Sequence, residues 1–239
     1  DWRHKQGYEV KVATENEVGG NSASESEISS YISQLYLNSE NPPEIVGLIG
    51  DTGGNYSLPA GTHNWGSGGW YGGYSGATDI NYTLIDGNDL VPDIFIGRLS
   101  VNSGSEISEL VAKTLAYEKA TYISSTGTDW YEGAALAGDP DESGNSTIIT
   151  NQYIENIMTN HGMENIMTDY DGGGVQTFME NSFQEGILYY NYRGWYGGFG
   201  SYPTNSLNND WMTPFVTTIT CGTGDFNGNS SSEAFVRQG

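Results

Sequence analysis

The sequence contains one cysteine, few basic residues and no long apolar run. A single cysteine, Cys221, excludes a disulfide within the chain. No run of about eighteen apolar residues is present, so the sequence predicts no transmembrane segment. Against 30 Asp and Glu residues stand 8 Lys and Arg residues, which gives a net charge of -22. A surface of this charge repels phosphate groups, so we expect no nucleic-acid partner.

The residues that are abundant point to a location outside the cell. With 34 Gly, 17 Tyr and a large acidic excess, the composition is typical of a secreted or cell-surface protein. An unpaired thiol is a liability in an oxidising compartment, so the retention of Cys221 indicates a use. The alternative is that Cys221 is only a small buried apolar residue.

Two acidic turns are candidates for calcium binding. The candidate ligands are the carboxylates of Asp86, Asp89, Asp139 and Asp141. Carboxylate and backbone oxygens in glycine-rich turns are the ligands that calcium prefers. We therefore expect at least one structural calcium ion, although each turn taken alone is equally typical of a solvated acidic surface.

Apolar runs and helical periodicity alternate along the chain, which predicts an α/β fold. Continuous apolar runs are typical of parallel strands that are buried on both faces. Mainly parallel strands are predicted at residues 45–50, 94–98, 133–137, 187–192 and 215–220. Residues 7–13 alternate and predict an earlier strand. Residues 55–77 have no period and predict a long loop.

The pattern restarts near the middle of the chain. The segment 122–129 is rich in Ser, Thr and Gly and is the best linker candidate. The strands before and after it end in Gly50-Asp51 and Gly138-Asp139. The sequence therefore predicts two side-by-side α/β subdomains, residues 1–126 and residues 127–239.

The last two predicted strands lead into glycine-rich turns that carry the main functional signal. Trp195 follows the strand at 187–192, and Cys221 follows the strand at 215–220. In open α/β sheets, ligand sites lie at the carboxyl ends of the strands. The only cysteine of the chain therefore stands where an α/β enzyme would place a nucleophile.

Two motifs at these strand ends resemble those of gingipain-type cysteine peptidases, which have a caspase-like fold. That family shows Asn-Tyr-x-Gly-His-Gly after one strand and Cys-x-x-Gly-Asp-Phe after the next. This chain has Asn191-Tyr192-Arg193-Gly194-Trp195 and Cys221-Gly222-Thr223-Gly224-Asp225-Phe226. The resemblance extends over nearly the whole chain and implies a second subdomain that continues past Gly239.

The resemblance implies a role for each residue at this edge. Cys221 takes the position of the nucleophile, Trp195 that of the catalytic histidine, and Asp139 that of an acidic residue near the dyad. Gly194 and Gly222 belong to the two motifs, and backbone N–H groups after Cys221 suit an oxyanion hole. The arginine-specific members carry an aspartate where this chain has Thr147, so an arginine pocket of that kind is not implied.

The substitution at position 195 bears on activity. A cysteine peptidase needs an imidazole to take the thiol proton. An indole donates a hydrogen bond but accepts no proton. Among the three histidines, only His63 is expected at the correct end of a sheet, in the other subdomain; His4 and His161 are expected at the opposite end.

Two functions remain open at this point. The first is a gingipain-like cysteine endopeptidase domain that acts on peptides or proteins, with weak or no activity. The second is a catalytically inactive peptidase-fold domain that serves as a calcium-stabilised binding or structural module.

Overall fold

The computed structural model describes residues 2–20, 22–66, 73–196, 207, 209–228 and 230–237, so Gly239 lies outside it. The chain forms two compact units. The first comprises Asp1–Ser103 with Phe226–Gly228, and the second comprises Gly104–Asp225 with Asn229–Gly239. The chain thus leaves the second unit at Phe226 and re-enters it after Gly228.

The first unit combines a parallel strand pair, a hairpin and one long helix. Its helices are α1 (Trp2–Lys5), α2 (Glu15–Val18) and α3 (Glu25–Asn38), and its strands are β1 (Ile45–Ile49), β2 (Gly61–Trp65), β3 (Tyr74–Thr78) and β4 (Phe95–Leu99). β1 pairs with β4 in parallel, and β2 pairs with β3 antiparallel. Ser24 and Glu27 form a capping box that begins α3. Ile28 and Ile32 of α3 pack with Leu48 in the core of this unit.

Two local predictions for the first unit are wrong. Residues 7–13 form no strand, and their apolar side chains Val10 and Val12 stay exposed. Alternation alone does not make a strand, because a strand needs a neighbour for its backbone N–H and C=O groups. The segment 55–77, predicted as a loop, instead contains most of the β2–β3 hairpin. The pairing of its two strands runs from Gly61 with Thr78 to Trp65 with Tyr74.

Phe226 is held inside the first unit by two contacts. The Thr52 hydroxyl donates to the Phe226 carbonyl oxygen at 2.9 Å, and the Arg98 guanidinium lies 5.5 Å from the centre of the Phe226 ring. Arg98 is fixed in turn by two hydrogen bonds to Asp79, at 2.7 and 2.8 Å. Phe226, which follows the turn of Cys221 along the chain, is therefore held by Thr52 and by an arginine that is itself fixed.

The second unit is built on a parallel sheet. Its helices are α4 (Gly104–Lys119), α5 (Ile123–Thr126), α6 (Ser146–Asn160), α7 (Val175–Glu185) and α8 (Ser231–Arg237), and its strands are β5 (Gly133–Gly138), β6 (Asn165–Asp169), β7 (Tyr189–Arg193) and β8 (Phe215–Ile219). The strand order is β6-β5-β7-β8, and all three pairings are parallel. The predicted α/β architecture with mainly parallel strands is confirmed.

Helices cover both faces of the strand β5. Ala135 and Ala137 pack with Val175 and Met179 of α7 in one core cluster. Gly138 lies on the opposite face, since side chains alternate along a strand, and there it closely approaches the backbone of α6. Small residues let both helices come close, and every residue of β5 is buried.

The structure divides the chain earlier than the predicted boundary between residues 126 and 127. The helix α4 belongs to the second unit, which begins at Gly104. Its Tyr117 packs edge-on against Trp130 and Phe215, with ring centres 6.3 and 5.7 Å apart. These contacts join α4 to residues distant in sequence, which a change in local composition does not reveal.

Candidate active site

The strands β7 and β8 place Trp195 and Cys221 at the same edge of the sheet. Arg193 and Ile219 are paired across the two strands. Trp195 and Cys221 each follow two residues later, and both are exposed. We call the group Asp139, Arg193–Trp195 and Thr220–Thr223 the carboxyl edge, because each of its segments follows or ends a parallel strand.

Asp139 is buried at the carboxyl edge and is held by protein donors. Its backbone N–H donates to the Arg193 carbonyl oxygen at 3.0 Å, which extends the pairing of β5 and β7 by one residue. Its Oδ1 accepts the backbone N–H of Asp141 at 2.9 Å, and its Oδ2 lies 3.3 Å from the Tyr192 hydroxyl. The carboxylate is therefore a fixed part of the edge.

Tyr192 is a residue of the site that the sequence did not single out. Its hydroxyl donates to the Trp195 carbonyl oxygen at 2.6 Å, with Asp139 Oδ2 as a second, more distant acceptor. Burial raises the pKa of Tyr192, and the charge of Asp139 raises this pKa further, so the hydroxyl keeps its proton. The signal was present in the Asn191-Tyr192 motif, but an apolar run gives no indication of where a hydroxyl points.

Glycine is required at positions 194 and 222 of the site for two different structural reasons. A Cβ on Gly194 would lie 2.5 Å from the Tyr192 hydroxyl oxygen and 2.6 Å from the Asp139 Cβ, so only glycine fits there. Gly222 has open space around it but a φ of +68°, a conformation that glycine adopts without strain. Gly194 thus permits close packing, and Gly222 permits the turn that carries Cys221.

The turn after Cys221 is tied to the helix that follows it. The backbone N–H of Ser232 donates to the Thr223 carbonyl oxygen at 3.0 Å, and the Thr218 hydroxyl lies 3.3 Å from the Thr223 hydroxyl. Thr223 is buried while Cys221 is exposed. The thiol therefore sits at the surface of a turn whose far side is anchored.

The histidines do not supply a base within the second unit. His161, the one histidine of this unit in the sequence, follows α6 directly. The helix α6 runs back from the end of β5 to the start of β6, so His161 lies at the amino ends of the strands, away from Cys221. His63 is part of β2 in the first unit.

The acidic turns give no ready metal cage in the part of the chain that the structure describes. No group of three His, Cys, Asp or Glu side chains close enough to hold an ion is found there. Asp89 accepts the backbone N–H of Val91 at 2.9 Å, and both oxygens of Asp139 face protein donors. These carboxylates are engaged within their own turns, and the predicted calcium ion at Asp86, Asp89, Asp139 or Asp141 stays a prediction.

Comparison with known proteins decides the family. A family model described as "Peptidase family C25" matches residues 1–239. The chain belongs to this family. Gingipain R2 of Porphyromonas gingivalis is 27% identical over 240 residues, which cover 95% of this chain and 30% of that protein. Lys-gingipain of the same organism is 30% identical over 125 residues, which cover 50% of this chain and 6% of that protein.

Solved structures agree with this family on the fold. The complex of Porphyromonas gingivalis RgpB pro- and mature domains has a TM-score of 0.76 and 24% identity, over 100% of this chain and 56% of that one. The Arg specific cysteine proteinase gingipain R has a TM-score of 0.75 and the same identity, over 100% and 54%. The C25 chain described here thus spans a little over half of these structures and less than a third of the curated relatives.

The structure also describes Thr147, the residue that the resemblance sets at the position of an arginine pocket. Thr147 is buried in the first turn of α6, and its hydroxyl donates to the Gly144 carbonyl oxygen at 3.0 Å. Its side chain is thus neutral and satisfied within its own turn. No carboxylate is present at residue 147 to attract a basic substrate side chain.

Proposed function

We propose that this chain is a gingipain-like cysteine peptidase domain in which Trp195 leaves the nucleophile Cys221 without a base. The observation that carries the proposal is the pairing of Arg193 with Ile219, which sets Trp195 and Cys221 at equivalent distances beyond adjacent parallel strands. In the family resemblance these are the positions of the histidine and the cysteine. Peptide hydrolysis is therefore weak or absent, while the peptide-binding edge is retained.

The residues at the edge support part of the peptidase chemistry. A thiolate must attack the peptide carbonyl carbon, and the amine that leaves must receive a proton. Backbone N–H groups of the Cys221-Gly222 turn suit the negatively charged oxygen of the tetrahedral intermediate that forms between these two steps. An indole at 195 neither removes the thiol proton nor returns it to the amine. Loss of such a base costs several orders of magnitude in rate.

Alkylation of Cys221 tests this function directly, because the chain contains no other cysteine. Iodoacetamide reacts with thiolates, so at pH 7 we expect slow labelling of Cys221 when no base takes its proton. The variant Trp195→His should speed labelling and give a small gain in peptide cleavage. The gain stays small because a pocket around an indole does not orient an imidazole.

Trp211→His is the matched control for this experiment. Trp211 is also exposed and lies in the second unit, but outside the carboxyl edge. Equal labelling of the two variants would refute a special role for position 195. Fast labelling of the unmodified protein that is lost in His63→Ala would show that another residue serves as the base.

The second candidate function is a peptide-binding or structural module that performs no catalysis. Replacement of a proton acceptor by Trp195, on a chain that keeps the family fold, favours it. Calcium-stabilised turns and a secreted or cell-surface location belong to this proposal and rest on the acidic composition. Among the described residues, no helix is both long enough and apolar enough to cross a membrane.

A further inference from the structure

One basic side chain at the carboxyl edge, that of Arg193, has no hydrogen-bond or ion-pair partner among the residues that the structure describes. Arg193 ends β7 and is only partly exposed. Its Nε is buried and has no hydrogen-bond partner among the residues that the structure describes. Within the same residues, the ion pairs of arginine involve Arg98 and Arg237 but not Arg193. A buried donor without a hydrogen-bond partner lowers the stability of the folded state. Such a donor next to a candidate site therefore indicates a ligand that accepts its hydrogen bond.

The composition makes an arginine that lacks a partner in the described part of the chain unusual. The sequence has 30 acidic residues against 8 basic ones, so partners for a guanidinium are abundant. Arg237 shows the ordinary outcome, with Glu233 at 3.1 Å and Glu106 at 3.9 Å. The other basic residues of the second unit, Lys113 and Lys119, lie on α4. Arg193 is therefore the one Lys or Arg of this unit that belongs to the carboxyl edge.

A second unsatisfied polar atom lies at the same edge. The Thr220 hydroxyl, directly before Cys221, is buried and has no hydrogen-bond partner in the described part of the chain. The strand ends that carry it and Arg193 are adjacent, since the Gly194 N–H donates to the Ile219 carbonyl oxygen at 3.5 Å. Arg193, which precedes Gly194-Trp195, and Thr220, which precedes Cys221, thus each carry a buried polar atom with no hydrogen-bond partner among the described residues.

We propose that Arg193 recognises a carboxylate of the ligand, so that this edge takes acidic peptides. The proposal rests on the proposed function, because it treats the carboxyl edge as the peptide-binding site. Two observations agree on the direction. Arg193 is a cation at the end of β7, which pairs with the strand that leads to Cys221, and Thr147 is neutral at the position that the resemblance assigns to an arginine pocket. A guanidinium binds a carboxylate by paired N–H donors, which gives both attraction and orientation.

Paired alkylating reagents test whether the charge of Arg193 acts at Cys221. Iodoacetate carries a carboxylate and iodoacetamide is its neutral analogue, so we compare their labelling rates on the intact chain. Both reagents need the same thiolate, so the ratio of the rates does not depend on whether a base assists Cys221. The result is thus separate from that of the Trp195→His experiment. Salt at about 0.15 M limits the contribution of distant charges.

The variant Arg193→Gln should lower the iodoacetate-to-iodoacetamide ratio by about fivefold, as removal of one nearby charge predicts. Arg193→Lys keeps the charge and should retain most of the ratio. Lys119→Gln is the control, because it removes the same charge from the last turn of α4. An unchanged ratio in Arg193→Gln, or an equal fall in both Gln variants, would overturn the proposal.

Peptide probes test the class of ligand. We compare two peptidyl chloromethyl ketones that carry either Asp or Asn at the residue next to the reactive group. The two probes have nearly the same shape, but only the Asp probe is charged there. We expect the Asp probe to label Cys221 faster, and Arg193→Gln to remove the difference. Faster labelling by a matched Arg probe would show a basic preference and refute the proposal.

Discussion

The hydroxyl of Tyr192 donates to the carbonyl oxygen of Trp195 at 2.6 Å, three residues further along the chain. This bond closes a turn directly after β7 and fixes the backbone that carries the Trp195 side chain. The same hydroxyl lies 3.3 Å from the Asp139 carboxylate. One buried side chain therefore joins two of the predicted site residues.

Tyr192→Phe should loosen position 195. Removal of the hydroxyl leaves the Trp195 carbonyl without this donor, and we expect a loss of about 1–2 kcal/mol in the free energy of unfolding. Hydrogen exchange of the amides at 194–196 should speed up. Tyr190→Phe is the matched control, because the Tyr190 hydroxyl is buried with no hydrogen-bond partner among the described residues. Equal effects of the two substitutions would contradict the assigned role.

Gly194→Ala should destabilise the second unit by about 1–3 kcal/mol, because the new methyl group meets the Tyr192 hydroxyl and the Asp139 side chain. Urea unfolding measures the loss. Gly173→Ala provides the comparison, since a Cβ at Gly173 would meet no atom within 4 Å. If both variants unfold at the same urea concentration as the unmodified chain, the close packing at Gly194 is not tight in solution.

Burial raises the pKa of Tyr82 to about 12, and its hydroxyl donates to the Pro59 carbonyl oxygen at 2.6 Å. In the unfolded chain a tyrosine ionises near pH 10. The neutral form is thus favoured by folding, and its stabilising effect is fully present below about pH 10 and is lost as pH rises through 12. The stability difference between the native chain and Tyr82→Phe should therefore shrink over this window, as measured by urea unfolding at fixed pH values.

Calcium should raise the melting temperature if the acidic turns bind it. A ligand that binds only the folded state stabilises that state by mass action. We expect EDTA to lower the melting temperature by several degrees and calcium to restore it, with magnesium as the control ion. Asp86→Asn should abolish the shift if the turn at Asp86–Asp89 holds the ion, and Asp141→Asn if the other turn does. A melt that EDTA leaves unchanged counts against both.

The sequence was sufficient to predict the sheet that carries the site. Continuous apolar runs such as 187–192 and 215–220 are local signals that favour strands of a parallel sheet. The resemblance to gingipain-type peptidases then predicts that the ends of β7 and β8 lie together. The capping box at Ser24 is equally local, and the structure confirms it.

The features that escaped prediction depend on contacts between distant residues. The β2–β3 hairpin lies in a glycine-rich stretch, where pairing of Trp65 with Tyr74 is decided by tertiary structure. Residues 7–13 have a strand pattern but no strand beside them in the described structure. The missing partner of Arg193 and the direction of the Tyr192 hydroxyl are likewise properties of three-dimensional neighbours, which no single stretch of sequence contains.

The excursion of Phe226–Gly228 into the first unit has a practical consequence for work on fragments. A contiguous clone of residues 104–239 would carry the three excursion residues without Thr52 and Arg98, which hold Phe226 in place. A clone of residues 1–103 would in turn lack Phe226. No single cut of the gene therefore yields both units intact.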